Sequence, residues 1–222
     1  MGRDAMTEAA PMEPAAGPVP FPAAPDWRDY AVDGLPPMLA SALECFMEHG
    51  YHGTPIRQLA ARTGLSVPGL YHYYPSKQAL LVAIAAHAMN DLWLRSEQAV
   101  AEAGPDTSRQ FDLLVECLVL FHARRRGQAF IAFSEIRSLE PDARAAHIAA
   151  RDRQQRLMDR ILEEGSAAGV FTAPHPHEAG IAVVTMCTGV AQWFRLDGEL
   201  SPEELAERYR VIARMAVGAS PA

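Results

Sequence analysis

Residues 54–81 read TPIRQLAARTGLSVPGLYHYYPSKQALL. This stretch predicts two short helices, a tight turn between them and the start of a long third helix. Thr54 suits the N-cap of the first short helix, and Pro55 suits the position after it. Gly64 can adopt the left-handed conformation that ends a helix, and Ser66 can cap the second short helix. Two short helices joined by a glycine-containing turn are the pattern of a helix-turn-helix motif.

The same stretch carries positive charge in a chain that is acidic overall. Residues 51–80 contain Arg57, Arg62 and Lys77 and no Asp or Glu, whereas the 222-residue chain has a formal net charge of −7. A small basic surface on an acidic protein favours attraction to DNA phosphates at that surface and limits non-specific binding elsewhere. The alternative is an amphipathic helical hairpin whose basic face is only solvated.

The second short helix is predicted to contact DNA. The Tyr71 hydroxyl can reach a phosphate, and Lys77 can hold a phosphate together with the N-terminus of the following helix. This helix carries no Arg, Gln or Asn for bidentate base contacts. We therefore expect base readout to depend on apolar contacts and DNA shape.

The composition is that of an ordinary globular protein, with 49% hydrophobic and 21% charged residues. Cys45, Cys117 and Cys187 are widely separated and lie in apolar helical runs, as expected for buried thiols in a reducing compartment. We find no charge-free apolar run of about 18 residues and no basic leader followed by an apolar region. A cytoplasmic protein without a membrane span is expected.

The pattern along the chain predicts an all-α fold of nine helices without strands or repeats. Residues 1–33 are rich in Pro and Ala and are predicted to be a disordered tail, in which Trp27 and Tyr30 dock locally. Residues 34–80 are predicted to form the helix-turn-helix domain, and residues 81–222 a helical ligand-binding and dimerisation domain. The eighth predicted helix, from about residue 177 to 196, is apolar nearly all round and must be covered on every side.

A three-helix head followed by a larger all-helical domain resembles the TetR family of transcriptional regulators. The resemblance rests on motif residues within 38–81, namely Gly50-Tyr51, Thr54, Leu59-Ala60, Gly64-Leu65-Ser66, Leu70-Tyr71, Ser76-Lys77 and Leu80. It implies DNA contacts at Thr54, Arg57, Val67, Pro68, Gly69, Tyr71, Tyr73 and Lys77. Their neighbours Ser66 and His72 are placed where they can reach backbone phosphates.

The resemblance also implies a homodimer formed by the last two helices, and their apolar pattern favours it independently. The predicted interface comprises Ile181, Val184, Phe194, Leu205, Tyr209, Ile212 and Ala216. Two recognition helices would then enter successive major grooves of a palindromic operator. The alternative is that the eighth helix lies at the centre of a monomer's core.

Residues 135–171 and 193–209 are similar to the ligand domains of TetR regulators of fatty-acid and steroid catabolism, which respond to acyl-CoA thioesters. Such a ligand needs an apolar slot for the acyl part and cations for its phosphates. The predicted slot is lined by Phe121, Phe130, Phe133, Met158, Met186 and Trp193, with Arg125 in the run 124–126 for the phosphates. The alternatives are core packing for the apolar residues and a solvated helix end for the arginines.

Other groups of residues in the sequence give little support for a metal site or a catalytic site. His175 and His177 lie in a loop without a paired carboxylate or cysteine at ligand spacing, so no metal site is predicted. The sequence contains no G-x-S-x-G elbow and no phosphate-cradling glycine loop, and we expect neither a cofactor nor an enzyme. The predicted function is a ligand-responsive repressor that a small apolar effector, such as an acyl-CoA, releases from DNA. The rival is a helical small-molecule-binding protein or enzyme with a vestigial DNA-binding head.

Overall fold

The computed structural model of the chain describes residues 26–31 and 34–219. These residues form nine α-helices, a short 3-10 helix at Glu135–Ser138 and no strand. The helices are α1 Pro37–Gly53, α2 Ile56–Arg62, α3 Val67–Tyr73, α4 Lys77–Ala103, α5 Thr107–Arg124, α6 Arg126–Ser134, α7 Pro141–Ala167, α8 Pro176–Trp193 and α9 Pro202–Ala216. The predicted all-α fold is confirmed for this part of the chain.

Side-chain caps set where several helices begin. Ser66, Ser76 and Asp106 each accept the backbone N–H three residues further on and start α3, α4 and α5. Ser201 and Glu204 form a reciprocal capping box at α9. Each cap satisfies a backbone donor that the helix itself leaves without a partner, so these helix starts follow from local sequence.

The helices surround two hydrophobic cores. The first contains Phe46, Leu59 and Leu70 and lies among α1, α2, α3 and the first turns of α4, with Ile131 of α6 at its edge. We call the unit formed by α1, α2, α3 and the first turns of α4 the head. The second core is built around α5, which is buried along most of its length and packs against α4, α7, α8 and α9. Since α4 contributes Leu80 to the first core and Leu92 to the second, it is a continuous rigid connection between them.

Helix α8 is not the central helix of the monomer. That position belongs to α5, whereas α8 leaves Ile181 and Trp193 exposed to solvent, by 43% and 53% respectively. The outer side of α8 therefore remains uncovered by the described part of the same chain. This arrangement disfavours the alternative in which its apolar character serves only a monomeric core.

The segment 26–31 packs against α4 and α5. Trp27 is buried and its Nε1 donates to Glu102 Oε2 at 2.7 Å, while Arg28 forms ion pairs with Glu102 and Glu116. Arg95 donates from Nη1 to the carbonyl of Trp27 at 2.8 Å. The local docking expected of Trp27 is present, so this part of the predicted disordered tail is ordered by burial and by paired charges. Residues 1–25, 32 and 33 lie outside the described residues.

Among residues 26–31 and 34–219, none of the helices is long and apolar enough to cross a bilayer. The same residues contain no group of three or more His, Cys, Asp or Glu side chains placed to hold a metal ion. Cys45, Cys117 and Cys187 are buried free thiols. Burial raises the pKa of Cys117 to about 12, so this thiol stays protonated at neutral pH.

Candidate DNA-binding head and effector cavity

The recognition helix α3 exposes most of its surface. Leu70 is fully buried and anchors α3 in the head, while Tyr71 and Tyr73 are 43% and 51% exposed. The other residues predicted to contact DNA that share this exposed or half-exposed surface are Arg57, Ser66, Val67, Pro68, Gly69 and His72. Large aromatic side chains held outward on a short helix mark a surface for an external partner.

Thr54 has a structural role in the head. Helix α2 begins at Ile56 with Pro55 at its N-cap, so the cap predicted for Thr54 is not formed. The Thr54 side chain is fully buried and its hydroxyl lies 3.1 Å from the Cys45 carbonyl and 2.7 Å from the Gly50 carbonyl. The hydroxyl turns inward and has one proton to share between these two carbonyls, of which Cys45 lies inside α1 and Gly50 at the kink near its end. The Thr54 side chain is therefore not available for the predicted DNA contact.

Lys77 joins the first turn of α4 to the end of α1. Its Nζ donates to the carbonyls of Tyr51 at 2.8 Å and Thr54 at 3.1 Å, and lies 4.4 Å from the centre of the Tyr51 ring. Two of the three ammonium donors are thus directed to the protein backbone. Lys77 therefore has a structural role in fixing the head on α4, and a contact with a DNA phosphate would come in addition to it.

Arg62 is neutralised by acidic residues of α1. Its guanidinium lies 3.2 Å from Glu44 and 2.7 Å from Glu48. The hydrogen bond from Arg62 is the main reason that the pKa of Glu48 is lowered. The acid-free sequence window therefore overestimated the positive charge of the head, because its acidic partners lie on a neighbouring helix outside the window.

A cavity of about 400 Å³ lies in the larger domain between α4, α5, α6, α7 and α8. Phe121 and Phe133, two of the residues predicted to bind a ligand, line this cavity. The wall contains Ala88, Met89, Leu92, Leu118, Phe121, His122, Ala129, Ala132, Phe133, Ile148, Arg151, Asp152, Gln154, Gln155, Ile181, Val184, Thr185 and Thr188. A mostly apolar wall with a few polar groups is typical of small-molecule sites.

The other residues predicted to bind ligand lie elsewhere. Met158 is completely buried in the second core, and Met186 packs against that core from α8. Phe130 and Trp193 are exposed outside the wall of this cavity. On α7, the residues that line the cavity lie beside the most buried stripe of the helix. Apolar periodicity therefore identified the side chains that face the core and not those that line the cavity.

The arginines at 124–126 are engaged within the protein. Arg125 is buried with its guanidinium over the Tyr30 ring and its Nε 3.7 Å from Asp91. Arg124 pairs with Glu203 at 2.8 Å, and Arg126 donates to a backbone carbonyl of α8. The phosphate site predicted at Arg125 is therefore not formed by this run. The arginine that lines the cavity is the exposed Arg151 of α7.

Three polar side chains of the cavity have their donors directed into the protein. His122 Nδ1 lies 2.7 Å from the Leu118 carbonyl, and burial lowers the pKa of His122 to about 4, so the ring is neutral. Gln154 Nε2 donates to Ser96 Oγ at 2.8 Å. Thr188 donates its hydroxyl to the Val184 carbonyl at 2.9 Å. Sequence periodicity did not identify these residues as cavity residues, because His and Gln on a mostly apolar helix also occur as satisfied core residues.

The cavity opens between exposed apolar side chains. Phe133, Ile148 and Ile181 come from three different helices, line the cavity and are each between 40% and 47% exposed. A rim of this kind lets an apolar molecule enter without crossing a polar barrier. A second cavity of about 350 Å³ lies between α4 and α7 and includes His147.

The predicted dimer surface is only partly accessible. Phe194 and Leu205 are buried in the second core and do not face outward, a correction to the predicted interface. Ile212 and Ala216 are exposed, Val184 and Tyr209 are half-buried, and Ile181 lies at the cavity rim. Two exposed apolar residues were missed, Val211 and Met215 of α9. Met215 lies three positions from Ile212 and four from Val211, so the helical period places it beside both side chains and is the signal that extends the interface.

Comparison with known proteins places this architecture in a family. Residues 38–84 match the model of the bacterial regulatory proteins of the tetR family. Residues 104–217 match the model of the tetracyclin repressor-like C-terminal domain. The chain belongs to the TetR family and is a DNA-binding transcriptional regulator.

Individual relatives are similar to this chain over segments of different length. The HTH-type transcriptional regulator RutR of Escherichia coli is 38% identical over 65 residues, which are 29% of this chain and 30% of RutR. The HTH-type transcriptional repressor KstR2 of Mycolicibacterium smegmatis is 24% identical over 191 residues, which are 85% of this chain and 93% of KstR2. The stronger identity is thus confined to a short segment, whereas the likeness to KstR2 extends along the chain.

Solved structures show the same fold. PfmR, a TetR family transcriptional regulator from Thermus thermophilus, superposes with a TM-score of 0.74 at 30% identity, covering 83% of this chain and 99% of PfmR. AibR, solved in complex with isovaleryl coenzyme A and operator DNA, gives a TM-score of 0.71 at 22% identity, covering 82% of this chain and 97% of AibR.

Proposed function

We propose that this protein is a dimeric repressor whose α3 helices bind a palindromic operator and whose cavity binds a small apolar effector that releases it from DNA. The observation that carries the proposal is the connection of an outward-facing recognition helix to an apolar cavity through α4. Met89 and Leu92 of α4 line the cavity, and Lys77 at the start of the same helix is bonded to the head.

Dimerisation is supported by the uncovered apolar face of α8 and α9. Trp193 on α8 and Val211, Ile212 and Met215 on α9 are each at least 50% exposed. Pairing these two helices with the same helices of a second copy would bury the face about a two-fold axis. Such a dimer presents two recognition helices to half-sites one helical turn apart.

A second connection between cavity and head runs through α6. Phe133 of α6 lines the cavity, and the 3-10 helix Glu135–Ser138 follows directly. Ser138 Oγ lies 3.2 Å from His52 Nε2 at the end of α1. An effector that favours one position of α4 and α6 would change the separation of the two heads, because it biases the protein between two conformations by differential affinity.

An acyl-CoA thioester is the proposed effector class. The apolar cavity suits an acyl chain, and Arg151 can attract phosphates that remain outside. The complex of AibR with isovaleryl coenzyme A supports this choice by analogy of fold. The rival function, a small-molecule binder or enzyme with a vestigial head, gives no reason to keep tyrosines exposed on α3.

The test measures binding to the DNA upstream of the protein's own gene by fluorescence anisotropy at several salt concentrations. We expect two chains per operator and a log–log salt slope that reflects phosphate contacts. Adding octanoyl-CoA should weaken this binding, whereas octanoate should have less effect because it lacks the phosphates. Negligible DNA affinity at low salt would contradict the regulator, and an unchanged affinity with acyl-CoAs of several lengths would exclude that effector class.

A further inference from the structure

We infer that the cavity selects an apolar ligand that carries a neutral hydrogen-bond donor, such as a hydroxyl or amide N–H, at its buried end. This inference rests on the proposed function, because it takes the cavity between α4 and α8 as the effector site. It goes further by specifying the chemistry of the part of the effector that enters the protein.

The orientation of the Gln154 amide is fixed by its neighbour. Ser96 donates its single hydroxyl proton to the Leu92 carbonyl at 2.8 Å. Ser96 Oγ must therefore accept from Gln154, which turns Gln154 Nε2 toward Ser96 and leaves Oε1 as the other end of the amide. Gln154 is 95% buried and Oε1 has no hydrogen-bond donor among the described residues.

His122 presents a second acceptor by the same kind of argument. A backbone carbonyl can only accept, so the bond to Leu118 requires the proton on Nδ1. In the neutral ring Nε2 is then an acceptor, and His122 lines the cavity. Thr188 adds a third acceptor, because its hydroxyl proton is donated to the Val184 carbonyl.

The acceptors of His122 and Thr188 determine what can be buried against them. A ligand ketone or ether placed there offers only lone pairs, and the one donor left among His122, Gln154 and Thr188 is the second N–H of Gln154 Nε2. A ligand oxygen directed at the acceptors would therefore lose water without gaining a hydrogen bond. A hydroxyl or amide N–H supplies the missing donor. The charged Arg151 and Asp152 are exposed, so an ionised end of the ligand is expected to stay outside.

The test compares 1-octanol with its methyl ether, 1-methoxyoctane, by isothermal titration calorimetry on the full chain. The two probes share the alkyl chain and the oxygen, and only the alcohol can donate. We expect the alcohol to bind about fivefold more tightly, the equivalent of one hydrogen bond. His122→Phe should weaken alcohol binding until the ratio approaches one, whereas ether binding should be kept, which shows that the cavity remains folded.

Two further variants sharpen the result. Gln154→Met removes the second acceptor at similar length and should also reduce the ratio. Glu163→Gln changes an exposed residue of the same helix outside the cavity wall and should keep the ratio of the unmodified protein. Equal affinity for alcohol and ether in the unmodified protein, or no binding of either, would overturn the inference. DNA binding without ligand is measured on the same samples. If the protein does not bind DNA, the proposed function is refuted. If it binds DNA but does not prefer the alcohol, only the inferred ligand chemistry is wrong.

Discussion

The head and the effector cavity differ in how their functional side chains are held. The DNA-facing residues lie on two short helices and their connection, within about 20 consecutive residues, and are held outward by a small core that includes Leu59 and Leu70. The cavity wall combines side chains of five helices between Ala88 and Thr188. Exposed side chains on a compact local unit keep their positions when other parts move, whereas a wall made from five helices changes shape whenever one of them shifts.

This difference suits a regulator with two conformations. The head can move as a rigid body on α4, because Lys77 and the Thr54 hydroxyl fix its internal contacts. The cavity can respond to a ligand, because its wall includes half-exposed side chains at a rim between helices. In the proposed mechanism, the signal would consist of helix displacement in the larger domain and of rigid-body movement in the head.

The largest expected effects on stability come from truncating one buried side chain in each of the two cores. Replacing the completely buried Phe111 of α5 by Ala should lower the free energy of unfolding by about 3–5 kcal/mol and weaken both ligand and DNA binding. Leu70→Ala should cost about 2–5 kcal/mol in the head, abolish DNA binding and leave octanol binding intact. Thermal unfolding and calorimetry on both variants test this. Loss of ligand binding in Leu70→Ala would show that the two regions unfold as one unit.

The stability of the region around the cavity is expected to depend on pH through His122. The pKa of His122 is lowered to about 4 in the folded chain from an ordinary value near 6.5, because burial disfavours the charged ring. Between these values the unfolded state binds more protons, so His122 lowers stability as pH falls from about 6.5 to 4. Compared with His122→Phe, the unmodified protein should lose about 3 kcal/mol more between pH 7 and 4.

Urea titrations at several pH values measure that difference. Parallel stability curves for the two proteins would show that the ring is not buried as a neutral group. A difference that appears only above pH 6.5 would lie outside the range between the two pKa values and would contradict the assignment equally.

The head could be predicted from sequence to a large extent because its determinants are local. The span of α3 and the Ser66 and Ser76 caps follow from residues a few positions apart. The role of Thr54 could not be predicted, because its partners are carbonyls at the end of α1 and a threonine before a proline is also a common cap. The pairing of Arg62 depends on Glu44 and Glu48, which lie 14 to 18 positions away on another helix.

The cavity was less predictable because helical periodicity identifies buried faces without distinguishing packed from empty space. Phe133 lines the cavity, whereas Met158, on an equally apolar pattern, fills the core. On α7 the wall includes Arg151 and Gln155, which lie beside the apolar stripe. Which face of a helix borders a void depends on the positions of its neighbours, and a single sequence does not specify them.

A smaller effect tests the rigidity of the head. Thr54→Val keeps the shape of the side chain and removes the hydroxyl, and with it the one proton that the carbonyls of Cys45 and Gly50 share. We expect a loss of about 1–3 kcal/mol in stability, weaker DNA binding and unchanged octanol binding. Thr63→Val is the matched control, since Thr63 also donates to a backbone carbonyl but is half-exposed. An equal effect of both variants in thermal unfolding would remove the special role of Thr54.

The smallest expected effect distinguishes the two arginines of the head by the salt dependence of DNA binding. Arg57 is exposed beside α3, so Arg57→Ala should lower the magnitude of the log–log salt slope by about 1. Arg62→Ala should change the slope less, because Arg62 is already paired with Glu44 and Glu48. Glu48→Gln provides the converse test, since it releases Arg62 from its closest partner and should strengthen DNA binding. If Arg62→Ala changed the slope as much as Arg57→Ala, the ion pairs of Arg62 would have to open when the head binds DNA. The charge counted from residues 51–80, which includes both arginines, would then describe the DNA-bound head better than the free head.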